Sequence, residues 1–207
     1  MEVLRLTSDL LTRNPEYYTI WNHRRRILQY QFTQPSLDTP TLTESKSNTQ
    51  ESTSNEVVEG LITEDLQFLV PLLLKFSKCY WIWNHRLWLL QQASQTLSAA
   101  KAHQFWLNEL GLIGKMLGRD SRNFHGWGYR RTVVAKLESK ALSPNTDSTS
   151  LVKEEFEYTT KMIKTNMSNF SAWHNRSKLI PRLLGESKVD DHERRRMLDE
   201  GTLHKIH

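Results

Sequence analysis

Cysteine is almost missing from this chain of 207 residues: Cys79 stands alone, which excludes a disulfide scaffold and any cysteine-based zinc finger. Glycine and proline are also sparse, at eight and six, too few for a chain built from tight turns. No apolar run approaches the roughly 18 residues that a transmembrane helix needs. Residues 1–30 lack the compact apolar stretch of a secretory signal, because Arg5, Asp9 and Arg13 interrupt the apolar positions. Also missing are a Walker A loop, G-x-G-x-x-G, G-x-S-x-G and H-E-x-x-H, so the common nucleotide, hydrolase and metalloprotease signatures are excluded. These absences lead to the expectation of a soluble, cytoplasmic, largely helical protein without a membrane span. Alone, the chain does not read as a complete enzyme.

The charge that is present is unevenly placed. The net charge is +5, yet residues 33–60 carry one Lys against five acidic residues. The basicity therefore belongs to the rest of the chain, and a phosphate-bearing or acidic partner fits it.

The strongest feature is internal repetition, which decides the fold when present. Trp21, Trp83, Trp127 and Trp173 share one local frame. Three residues before each is an aromatic: Tyr18, Tyr80, Phe124 and Phe170. Three residues after each is an arginine: Arg24, Arg86, Arg130 and Arg176. Aliphatic pairs follow six and seven residues on, from Ile27/Leu28 to Leu179/Ile180. Each Trp and its later aliphatic lie on one helical face. Asn14-Pro15 reads as a helix start, with a capping side chain and a proline suited to the first turn.

Second amphipathic stretches run between the Trp segments, at Val3–Arg13, Glu56–Phe76, His103–Leu117 and Lys153–Thr165. Pro71 should kink or restart the second of these. The predicted fold is all-α, an α-solenoid of antiparallel helix pairs forming a single domain over 1–207. The Trp intervals are 62, 44 and 46. The Ser/Thr-rich tract 33–59 accounts for the long first interval and reads as a disordered insertion, since its composition buries too little surface to offset ordering entropy. Residues 139–150 read as a shorter flexible loop.

The repeated Trp and aliphatic residues read as core between helices. For the arginines, fixed spacing from a core Trp favours a guanidinium bonding carbonyls or a carboxylate at the turn of a neighbouring unit over a basic stripe for nucleic acid. His23 and His85 share a repeat slot and read as packing or capping residues rather than a metal pair. Cys79 beside Lys78 reads as a buried structural thiol rather than an activated one.

The aromatic-x-x-Trp-x-x-Arg frame resembles the repeat of the protein prenyltransferase α subunits. NPEYYTIWNHRR, SRNFHGWGYRR and NMSNFSAWHNRSKLIPRLL are most similar to repeats of the Rab geranylgeranyltransferase branch, across residues 2–184. The α subunit shared by farnesyltransferase and geranylgeranyltransferase-I, and a non-catalytic interaction scaffold on the same repeats, are the alternatives. The resemblance implies a crescent of helical hairpins around a β subunit that holds zinc and most of the lipid pocket, with no cofactor bound by this chain. It implies further partners: geranylgeranyl diphosphate at the subunit interface and a Rab escort protein presenting a Rab GTPase. It places the diphosphate-contacting lysine at Lys78 with its aromatic partner Tyr80. It also places Asn123 and His125 at the substrate, with Phe124 between them. Lys78 and His125 are the implied catalytic groups, because cationic or N–H donors aimed at a departing diphosphate stabilise the transition state more than the ground state. Family members usually carry a helical segment before the first repeat and another Trp repeat after the fourth. Residues 1–207 show neither, so a truncated, alternatively spliced, mispredicted or reduced α subunit is expected.

Overall fold

The computed structural model describes residues 2–33, 47–139, 142, 150–186 and 195. Among the described residues there are eight α-helices and no strands: α1 (Glu2–Arg13), α2 (Tyr18–Thr33), α3 (Ser47–Lys75), α4 (Tyr80–Thr96), α5 (Ala99–Arg119), α6 (Phe124–Leu137), α7 (Val152–Thr165) and α8 (Phe170–Glu186). Each Trp segment is an even-numbered helix, preceded by an odd-numbered helix across a four-residue connection. So short a connection forces the two helices antiparallel. The fold is thus the all-α, α-solenoid class of antiparallel pairs that the repetition predicts.

All four connections are built alike. The residue seven before the Trp closes the odd helix: Asn14 N–H donates to Leu10 O, Phe76 to Leu72, Asp120 to Met116 and Asn166 to Met162, at 2.8–3.1 Å. The Trp indole N–H then donates to the carbonyl six residues earlier. Trp21 reaches Pro15, Trp83 reaches Ser77, Trp127 reaches Ser121 and Trp173 reaches Met167, at 2.8–2.9 Å. A tryptophan therefore fills the core and satisfies a turn carbonyl at once, which phenylalanine cannot do.

The chain divides into two compact units, the first running to Glu109 and taking in Leu142, the second starting at Leu110 within α5. Repeat arrays make mainly nearest-neighbour contacts, so compact subsets arise naturally within a continuous chain. The first unit buries Leu11, Trp21, Leu28, Ile62, Leu69, Leu73, Ile82, Leu89 and Leu90 almost completely. The second buries Ile113, Leu117, Trp127, Val133, Val152 and Ile163. Each fully buried Leu or Ile contributes about 1.5–3 kcal/mol relative to exposure. In the second unit a Cβ on Gly126 would lie 3.0 Å from the Leu117 side chain, so the absent side chain lets α6 approach α5.

Helix α3 bears on two local expectations. Helix α3 begins at Ser47, inside the tract read as disordered, and Val58 is buried in it. Apolar residues from Val57 onward give the segment a face to bury, which composition averaged over 33–59 conceals. Residues 34–46 of that tract, and most of 139–150, lie outside the described residues. Helix α3 also runs through Pro71 without restarting, as α8 runs through Pro181. Buried Leu69, Leu72 and Leu73 on either side hold the α3 face in place despite the missing backbone donor.

Candidate functional site at the helix-pair turns

The predicted site residues fall on two equivalent turns. Lys78 is exposed in the α3–α4 turn, and Tyr80 opens α4 with half its surface in solvent. The Tyr80 hydroxyl accepts from Asn84 Nδ2 at 3.2 Å, and its ring meets Trp81 edge-on at 5.2 Å. Between them Cys79 is buried and its Sγ donates to Pro15 O at 3.4 Å. Burial pushes this thiol up from its ordinary value, so it is an inert structural group.

On the α5–α6 turn, Asn123 is buried and caps α6, its Oδ1 accepting from Gly126 N–H at 3.0 Å. Asn169 repeats that cap with Ala172 N–H at 3.1 Å. Asn123 thus sits in a capping slot of the repeat. His125 follows in the first turn of α6, half-buried, with its ring edge-on to the exposed Phe124 at 5.8 Å. The structure brings Lys78 together with Tyr80, and Asn123 together with Phe124 and His125. Exposure separates them: Lys78, Tyr80 and Phe124 face solvent, whereas Asn123 is buried.

Exposed aromatics recur at this end of every pair. Tyr18 and Tyr80 are about half exposed, whereas Phe124 and Phe170 are nearly four-fifths exposed. In the first unit Tyr18 also contacts Trp81 at 5.7 Å. Large apolar groups held in solvent at the turns suit a partner surface better than a monomer surface.

The repeated arginines are buried and paired, so they offer no basic stripe. Arg86 grips Glu109 through Nε and Nη2 at 2.6 Å each, and Nη1 donates to Leu66 O at 2.8 Å. Arg130 grips Glu155 at 2.9 and 2.5 Å and lies over the Tyr158 ring. Arg24 bonds Asp65, Leu4 O, Thr7 and Ser8. Arg176 bonds Phe156 O and Thr160 in its own pair. These bonds reach the odd helices of the same and following pairs, and the carboxylates Asp65, Glu109 and Glu155 lie within those helices rather than at the expected turns. Sequence reasoning missed the receiving carboxylates, although Asp65, Glu109 and Glu155 each stand 18 residues before a repeat Trp.

The shared histidine slot resolves into two environments. His23 is exposed, whereas His85 is fully buried between Trp21 and Trp88. Arg25 Nε donates to His85 Nδ1 at 3.2 Å, which leaves Nε2 to donate to Asp65 Oδ2 at 2.7 Å. Burial pushes the imidazole below its ordinary value; the Asp65 contact opposes this and the neighbouring arginines add to it. Burial raises the Asp65 carboxyl, but His85 and Arg24 outweigh it and hold the group below the usual carboxylate range. Among the described residues no three His, Cys, Asp or Glu gather as a metal site, and no helix is long and apolar enough to cross a membrane.

These elements define a class of protein: helical-hairpin repeats interlocked by buried Arg–carboxylate pairs, with aromatic and cationic residues displayed at the turns. The protein prenyltransferase alpha subunit repeat matches residues 1–31, 62–93, 106–137 and 152–183, and the chain belongs to that family. It is 43% identical over 182 residues to a geranylgeranyl transferase type-2 subunit alpha of Candida albicans, covering 88% of this chain and 44% of the relative. A Saccharomyces cerevisiae protein of the same description is 38% identical over 91% of this chain and 48% of the relative. A Mus musculus one is 36% identical over 87% of this chain and 25% of its own length. The chain thus spans less than half the length of these relatives.

Proposed function

We propose that this chain acts as the α subunit of a heterodimeric Rab geranylgeranyltransferase, which moves a geranylgeranyl group from its diphosphate to C-terminal cysteines of Rab GTPases. The carrying observation is Lys78 and Tyr80 exposed on the same turn, within repeats that are similar to type-2 alpha subunits. In the reaction a substrate thiolate forms a C–S bond to the allylic carbon as the C–O bond to diphosphate breaks. Negative charge accumulates on the departing diphosphate. The Lys78 ammonium and the Tyr80 hydroxyl are donors suited to that charge; His125, on the equivalent turn of the second unit, carries a donor of the same kind. Asn123 serves by capping α6 and so positioning His125.

A partner β subunit binds the exposed turn aromatics and supplies the zinc that activates the thiol. A Rab escort protein delivers the substrate, and the complex works in the cytoplasm. Co-expression with a β subunit, followed by a prenylation assay with Rab and escort protein, tests the reading. Lys78→Ala should lower turnover while the heterodimer still assembles. Unchanged turnover would remove the diphosphate role, and a chain indifferent to β would point to a scaffold.

A further inference from the structure

The groove between successive even helices differs sharply between the two units. In the first unit, Phe32 of α2 stacks on Trp88 of α4 with centroids 6.2 Å apart. Arg25 lies over the same Trp88 ring at 5.5 Å. These side chains plug the α2–α4 groove. In the repeat register, Phe32 stands eleven residues after its Trp and Trp88 five after its own. The equivalent positions in the second unit are Glu138 and Lys178. Both plugging aromatics are therefore replaced by charged residues, while Arg131 keeps the place of Arg25.

The consequence is an open cleft of 220 Å³ between α6 and α8. Its apolar floor includes Val134, Ala135 and Leu179. The charges around it are not balanced. Glu155 is taken by Arg130 and Glu138 by Arg182, the latter through two contacts of 2.9 Å. Arg131 spends one nitrogen on Asn175 Oδ1 at 3.0 Å, which leaves guanidinium donors to spare. Lys178 is exposed at the same rim.

We propose that this cleft receives an aromatic side chain from a partner protein, flanked in that partner by a carboxylate that pairs with Lys178 and Arg131. The first unit supplies the ring from its own chain, and the second leaves the space for a ring from outside. Charge complementarity selects the acidic flank, because the carboxylates of the cleft are already neutralised. An aromatic anchor in a pocket with a charged rim is how a few residues come to dominate an interface. The site is independent of the transferase reading, since it would bind its partner segment with or without prenyl transfer.

Acetyl-Glu-Phe-Glu-amide, titrated into the full chain and followed by the backbone amide shifts of Ala135, Lys178 and Leu179, tests this. Saturable shifts confined to the cleft are expected. Affinity should fall about tenfold or more, worth roughly 1.4 kcal/mol, with acetyl-Gln-Phe-Gln-amide and with acetyl-Glu-Ala-Glu-amide. Lys178→Trp with Glu138→Phe, which restores the plug of the first unit, should abolish the shifts. Lys178→Glu, a change at an exposed position that leaves the packing intact, should weaken binding by a similar factor. Absence of shifts, or an affinity left unchanged by Lys178→Glu, would overturn the proposal. Phenylacetate binding as tightly as the peptide would also overturn it, in favour of a pocket for a free aromatic acid.

Discussion

Arg86 and Glu109 meet through two parallel contacts of 2.6 Å, joining the second helix pair to the first helix of the third. Both side chains are about 3% exposed, so the pair is sealed from water. The Arg130–Glu155 pair repeats it one unit further on. Such a pair is worth little against a well-packed apolar substitute, yet breaking one partner strands a buried charge. Glu109→Gln should therefore destabilise the protein by about 3–5 kcal/mol in urea unfolding followed by circular dichroism. A loss below 1 kcal/mol would mean that water reaches Arg86.

The indole contacts predict a graded effect of removing one N–H. Trp127→Phe keeps much of the apolar volume but leaves Ser121 O without its donor from this ring. The expected cost is about 1–3 kcal/mol. Asn169 Nδ2 also donates to Ser121 O at 2.8 Å. Trp127→Phe combined with Asn169→Ala should therefore exceed the sum of the single changes, as a double-mutant cycle would measure.

The His85 environment sets a direction for pH dependence. Its folded-state pKa lies below the ordinary value near 6.5. As pH falls through the unfolded-state value, the unfolded chain takes up a proton that the folded chain refuses, and stability falls. Asp65 adds to the loss further down, because its depressed folded-state pKa gives stability that disappears as pH drops through the carboxylate range. The melting temperature should decline from pH 7.5 to 5.5, and His85→Gln should flatten that slope. An equal slope in the variant would assign the dependence elsewhere.

Cys79 should resist alkylation in the folded state. The residue is 4% exposed, burial raises the thiol pKa, and its Sγ is engaged with Pro15 O. Labelling by iodoacetamide at neutral pH should follow unfolding, rising with urea along the same transition seen by circular dichroism. Rapid labelling without urea would contradict the burial.

Much of the repeat was legible in the sequence because its period is carried by residues whose roles are local. Trp83 bonds a carbonyl six residues away, and Asn123 caps its own helix, so short spacing reveals both. The odd helices were legible from their apolar periodicity, which placed α1 and α7 within a residue of their ends. The arginine partners were not found, although the acidic residue at a fixed distance before each later Trp was in plain view. A charge at one end of a helix pair says nothing local about which neighbour will bury it.

The candidate site divides in the same way. The Trp frame locates Lys78, Tyr80, Asn123 and His125 at turn positions, and sequence alone suffices for that. It does not separate the exposed Lys78 from the capping Asn123, which differ in whether the adjacent helix covers them.

The sequence by itself determined the helical pairs, their register and their family, because each depends on contacts within about one repeat. Tertiary structure alone decided that His85 is buried while His23 is exposed, since burial of that slot needs Trp21 and Trp88 on either side. It alone decided that one groove is plugged by Phe32 and Trp88 while its counterpart is open. Both outcomes depend on side chains from different repeats meeting in space, and the distance along the chain at which they meet is not written in any single repeat.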